Sequence, residues 1–203
     1  MDTSDWLVTQ VGECLPCDAP RDDEFPASPY RLYRFLTDVE DILRDRPEDE
    51  ARLAAIRPLV RRLLVSSDWL QGEYRAPDPQ TGWSVVILYD EPDFPLTVQM
   101  VAWLPGKVSP IHNHGTWGVV AVVSGEEKNT LWKRSPTPEF PDRIESVGDR
   151  IFLPGEIISF LPDAIHCIEA MGEEPTITFN LYGVTDYQRR FEFNPRDRTA
   201  HLF

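Results

Sequence analysis

Positive charge is in short supply in this chain. Lysine and arginine together number 20 against 34 aspartates and glutamates, a formal net charge of −14, so phosphate backbones and anionic membrane surfaces are repelled. No nucleic-acid partner is expected. Long apolar runs are missing as well: none approaches the roughly 18 residues that a membrane span requires. The opening Met-Asp-Thr-Ser-Asp-Trp has neither the basic nor the apolar stretch of a secretory leader, and a soluble, cytoplasmic protein with no membrane partner is expected. Cysteine occurs only three times, an odd number and too few for a disulfide scaffold. Cys14 and Cys17 form a Cys-Leu-Pro-Cys pair with the spacing of half a zinc site or a redox couple. No second pair follows and no strand-to-helix context frames them, so two ordinary loop thiols are expected.

The 203 residues suffice for one structural domain with a real core. Residues 1–29 are acidic and dotted with proline, and read as an arm rather than an autonomous unit. Residues 30–72 have a helical period: Leu32, Phe35, Val39, Ile42 and Leu43 mark one apolar stripe, and Leu53, Ile56, Val60, Leu63 and Leu64 a second. Pro47 reads as a helix opener and Pro58 as a kink or restart, so two or three helices are expected. Across residues 73–203 the texture changes to short runs of β-branched and aromatic residues, at 83–89, 96–103, 117–123, 129–133, 157–160, 165–170 and 176–182. Turns such as Leu-Pro-Gly, Ser-Gly and Val-Gly-Asp separate them. Evenly spaced strands with glycine turns predict a β-sandwich or small barrel, with the helices packed against it.

Histidine is rarer than any acid, with four in all, and two of them fall in Ser-Pro-Ile-His-Asn-His-Gly-Thr-Trp-Gly at 109–118. On an extended segment residues i and i+2 face the same side, so His112 and His114 present both imidazoles to one point while Asn113 turns away. His166, in Leu-Pro-Asp-Ala-Ile-His, opens a later apolar run after a proline turn and is the third candidate ligand. Cys167 then faces away from whatever His166 faces, as a buried small hydrophobe. His201 is expected to be solvated.

Gly106, six residues before His112, and the Pro-Asp-Ala-Ile-His segment complete a pattern that resembles the two metal motifs of the cupin superfamily. The resemblance implies a mainly β fold, the cupin double-stranded β-helix or jelly-roll barrel, here with an N-terminal helical segment. Many cupins add a glutamate a few residues past the second histidine. Here those positions are Gly115, Thr116, Trp117, Gly118 and Val119, and the nearest acids, Glu126 and Glu127, follow the Ser-Gly turn and are expected to lie beyond the site. Three neutral imidazoles leave a divalent ion its full charge and open positions, which suits an anionic chelating substrate together with dioxygen.

His-Asn-His-Gly-Thr-Trp-Gly-Val-Val, preceded by Ala-Trp-Leu-Pro-Gly-Lys and followed by Leu-Pro-Asp-Ala-Ile-His and Asn-Leu-Tyr-Gly, resembles the cysteine dioxygenase family of thiol dioxygenases, and within it the bacterial branch that includes 3-mercaptopropionate dioxygenases. The resemblance implies a mononuclear non-haem Fe(II) enzyme that adds both atoms of O2 to a small thiol, with His112, His114 and His166 as iron ligands. It assigns Tyr182 as the active-site tyrosine. The family's Ser-x-His-x-Tyr is Thr178, Phe179, Asn180, Leu181, Tyr182 here. Thr178, Asn180 and Tyr182 share one strand face, but an amide at 180 cannot titrate as a histidine does. For the substrate carboxylate, residues 83–89 offer neither the arginine nor the glutamine that some members use. Arg190, or its neighbour Arg189, is the expected anchor, and Trp117 a wall of the pocket or part of the barrel packing. A carbon–carbon-cleaving cupin dioxygenase, a zinc hydrolase and a non-catalytic ligand-binding cupin remain as alternatives. The particular thiol and the oligomeric state are not legible.

Overall fold

The computed structural model describes residues 5–21, 24–26 and 28–203; the first four residues of the acidic arm, and 22, 23 and 27, lie outside the described residues. The chain runs β1 (Asp5–Val8), β2 (Cys14–Cys17), α1 (Leu32–Asp45), α2 (Asp49–Val65) and a 3-10 turn at Asp68–Gly72. The strands that follow are β3 (Trp83–Asp90), β4 (Leu96–Trp103), β5 (Ile111–His112), β6 (Gly118–Ser124), β7 (Glu126–Arg134) and β8 (Ile144–Phe152). They continue as β9 (Ile157–Phe160), β10 (Ile165–Met171), β11 (Thr176–Gly183), β12 (Phe191–Asn194) and β13 (Thr199–Leu202). No described helix is long and apolar enough to cross a membrane.

The strands form two sheets, in the orders β2-β1-β9-β6-β11-β4-β3 and β13-β12-β5-β10-β7-β8. Within them β4 to β11 run β9-β6-β11-β4 in one sheet and β5-β10-β7-β8 in the other, the strand order of a jelly roll, with the chain switching sheets at nearly every connection. This is the mainly β double-stranded architecture expected, and two helices precede its core. All ladders are antiparallel except β1 on β9. The acidic N-terminal segment therefore contributes two strands, β1 and β2, to the first sheet.

Strand alternation divides the first sheet into two faces. On β11, Phe179 and Leu181 turn outward into a cluster with Phe35, Val39, Leu53, Ile56, Val60 and Leu63 of the helices, while Thr178, Asn180 and Tyr182 turn into the barrel. Because the helices cover its outer face, β6 is apolar on both sides and reads as an unbroken Gly-Val-Val-Ala-Val-Val run. Pro58 lies inside α2 without ending it, so the expected kink or restart does not divide the helix. Arg61 of α2 pairs with Asp5 of β1 and donates to Gly155 O, and Arg57 donates to Ser159 Oγ of β9. These bonds fasten the helix to β1, which the acidic segment supplies, and to β9 with the turn before it.

Cys14 and Cys17 stand at the two ends of β2 rather than in a loop, three residues apart and hence on opposite strand faces. Both thiols are free, and so is that of Cys167.

Candidate metal centre

β5 and β10 are neighbours in the second sheet, and their register sets His112 directly opposite His166. His114 follows two residues later, where the chain leaves β5 to cross to the first sheet. The three ring centroids lie 4.8 to 5.1 Å apart, and one nitrogen from each falls within 4.8 Å of the others. Among the described residues this is the one such group of three potential ligands.

Hydrogen bonds orient two of the rings. The His112 Nδ1–H donates to Pro110 O at 3.0 Å and the His166 Nδ1–H to Asn129 Oδ1 at 2.6 Å, which frees the Nε2 of each to act as a ligand. The Nε2 atoms of His166 and His114 then face one another at 3.2 Å, while His114 Nδ1 is buried without a partner among the described residues. Two nitrogens held roughly 2.1 Å from one ion lie no more than about 4.2 Å apart, a limit that the His114–His166 pair meets, so a divalent cation satisfies two atoms that otherwise compete. Burial keeps the rings neutral: His112 is pushed down to about 4, chiefly by desolvation, and His114 and His166 lie well below the usual histidine range for the same reason. Neutral imidazole is the ligating form. The donor set therefore fits a metal ion.

The triad opens on a cavity of about 870 Å³ between the sheets, towards the upper end of small-molecule sites. From the first sheet the Tyr182 hydroxyl donates to Asn180 Oδ1 at 3.1 Å, and Asn180 Nδ2 donates to Thr178 Oγ1 at 2.9 Å. The Tyr182 ring rests 4.9 Å from that of His114. The three residues expected on one face are thus linked as a ladder on the cavity wall. Burial, reinforced by the charge of Glu127, holds the Tyr182 phenol protonated well above its usual range.

The two arginines part company. Arg190 lines the cavity and lies 4.1 Å from the Phe203 ring centroid, with its Nε buried and without a hydrogen-bond partner among the described residues. Arg189 is exposed and pairs with Asp163 on the surface. Asn113 explains how Arg190 is placed: turned away from the triad as expected, it donates to Arg189 O at 2.7 Å and accepts from Phe191 N at 2.7 Å, gripping the backbone on either side. Gly115 completes the approach. It has φ 63°, and a Cβ there would lie 2.6 Å from Asp186 O and 3.2 Å from Arg190 N. Trp117 is not on the cavity wall; it is buried among the core residues beneath the helices, 5.9 Å from the Arg52 guanidinium.

Glu127 lies inside rather than beyond the site. β7 begins at Glu126, so Glu127, Asn129 and Leu131 alternate inward, and Glu127 reaches the cavity wall, only 3% exposed. The signal was the spacing itself: an acid and an amide at i and i+2 share a strand face. Gln99 of β4, opposite Asn180 in register, and Phe203, whose ring lies 5.8 Å from that of His112, also line the cavity without having been singled out.

No protein-family model matches the chain. Among solved structures it is similar to an oxalate oxidase in complex with the substrate analogue glycolate, at 16% identity over 55% of this chain, with TM-score 0.42. The match spans 57% of the oxalate oxidase chain. It is also similar to a cupin superfamily protein from Desulfitobacterium hafniense (11% identity, 57% of this chain and 87% of that one, TM-score 0.44). A third is a conserved protein with a double-stranded β-helix domain from Klebsiella pneumoniae (17% identity, 57% and 83%, TM-score 0.44). The jelly roll itself is defined by the strand order, and the histidine cluster by its own geometry.

Proposed function

We propose that this protein is a mononuclear iron-dependent thiol dioxygenase that converts a small thiol to its sulfinate, both oxygen atoms of O2 passing to the sulfur. The observation that carries the reading is the pairing of two features in one cavity: three neutral histidines with no carboxylate among them, and the Thr178–Asn180–Tyr182 ladder facing them. The motif resemblance names the same residues. When bound, Fe(II) supplies a centre that acidifies a coordinated thiol and activates dioxygen.

The remaining tasks fall to the protein. Arg190 grips a substrate carboxylate by charge-assisted hydrogen bonds. Tyr182 stays protonated and presents its hydroxyl beside His114, oriented by Asn180. Asn180 holds that phenol but exchanges no proton itself, because an amide does not titrate near neutrality. The Phe203 ring, backed by Arg190, lies against the His112 side of the cavity.

Oxygen uptake by protein loaded anaerobically with Fe(II), against cysteine, 3-mercaptopropionate, cysteamine, mercaptosuccinate and larger thiols, tests the proposal, with sulfinate detected by mass spectrometry. One sulfinate formed per O2 consumed is the expected result, and His166→Ala abolishes it together with iron binding. Silence across the panel while iron is bound by the three histidines would overturn the reaction.

A further inference from the structure

The carboxylate missing after His114 is present two hydrogen bonds away from the cluster. Asn129 bridges them: its Oδ1 accepts from His166 Nδ1–H at 2.6 Å, and its Nδ2 donates to Glu127 Oε1 at 2.8 Å. The direction of this chain is not free. If His166 Nε2 is to bind an ion, Nδ1 must hold the proton, so the amide must offer its oxygen to the ring and its NH2 to the acid. Glu127 Oε1 is then the acceptor at the end of the chain, a place that an ionised carboxylate fills.

Among the described residues the Glu127 side chain has no other hydrogen-bonding partner, and no cation pairs with it. Its register neighbours are Ala170 on β10 and Phe152 on β8, both apolar. An unpaired carboxylate in such surroundings is expensive to keep, and Asn129 is fully buried with it. The cost is offset once a dication sits on the far side of His166.

We infer that Glu127 is an outer carboxylate of the metal centre, a positioning residue that acts through Asn129 and His166 to strengthen metal binding and to favour the more highly charged state of the ion. The inference rests on metal binding at the triad, as in the function proposed above, but not on the thiol reaction. A negative charge relayed through an amide raises the basicity of the ligating ring while leaving every open metal position to substrate. A directly bound glutamate would fill one of them.

The test is chelator competition for Zn(II), which needs no turnover, on the full chain and on Glu127→Gln, Asn129→Ala and the double variant. Glu127→Gln is expected to weaken Zn(II) binding about tenfold or more and Asn129→Ala at least as much, while the double variant is no worse than Asn129→Ala, because the two act in series. In the iron-loaded proteins, Glu127→Gln moves the ferric–ferrous potential upward. Wild-type affinity and potential in Glu127→Gln, with Asn129→Ala impaired, would overturn the relay, as would additive losses. A wild-type chain that takes up no divalent ion would overturn the metal reading instead, a different result from a variant that binds as tightly as wild type. Melting of the metal-free variants confirms that each is folded.

Discussion

Gly118 and Tyr182 share a single space. A Cβ built on Gly118 would lie 2.8 Å from two atoms of the Tyr182 ring and 3.5 Å from His114 Nδ1. The two residues face one another across the β6–β11 ladder, so the absent side chain of one makes room for the aromatic ring of the other beside the histidine cluster.

Gly118→Ala should therefore push the Tyr182 ring off His114 while leaving the three ligands in place. The expected outcome is a fall in kcat of about tenfold or more, the scale on which a misplaced group in a reacting constellation is felt, with metal content unchanged. Loss of metal along with activity would mean that the glycine supports His114 rather than Tyr182.

Arg190 and Arg189 are adjacent, yet only the first lines the cavity. Arg190→Ala should raise KM for carboxylate-bearing thiols by roughly 10- to 100-fold, as the loss of a charge-assisted hydrogen bond does, and leave cysteamine, which has no carboxylate, largely unaffected. Arg189→Ala removes an exposed surface pair with Asp163 and should change neither. Steady-state kinetics with the two thiol types separates these outcomes.

The acid response of the metal-free protein should have two opposing parts. His112 is lowered to about 4 in the fold, with His114 and His166 lower still. Below the free histidine value of about 6.5 the unfolded chain takes up protons that the folded chain refuses. Stability is then lost as pH falls through that value towards 4. Glu127 runs the other way. Burial raises it from 4.5 to about 7, so the fold holds its proton longer, and stability is lost as pH rises from 4.5 through 7. Glu127→Gln should accordingly stabilise the metal-free protein at pH 8 by on the order of 3 kcal/mol and have little effect at pH 4.5. Melting curves across that range check both signs.

Much of the site was legible because strand periodicity and residue chemistry are local. His112 and His114 at i and i+2, and Thr178, Asn180 and Tyr182 at the same spacing, had to share faces once their segments were extended. The helical stripes of α1 and α2 were likewise readable, since each repeats on its own period. The polar or short strands were not: β8 is Ile-Glu-Ser-Val-Gly-Asp-Arg-Ile-Phe, an edge strand without an apolar run, and β5, β12 and β13 are only two to four residues long and are held by their ladder partners. β1 similarly owes its place to β9 and to the buried pair of Asp5 with Arg61.

What the sequence by itself determined is therefore that His112 and His114 share a face, which face carries Tyr182, and the mixture of helices and strands. Each follows from backbone geometry within a few residues. Only the tertiary structure decided that Glu127 enters the site while Trp117 leaves it, and that Arg190 rather than Arg189 meets the cavity. Those outcomes depend on which sheet face the helices cover, on the β7–β10 register that sets Asn129 beside His166, and on Asn113 gripping a loop far along the chain. They are contacts between segments distant in sequence, for which no local period leaves a trace.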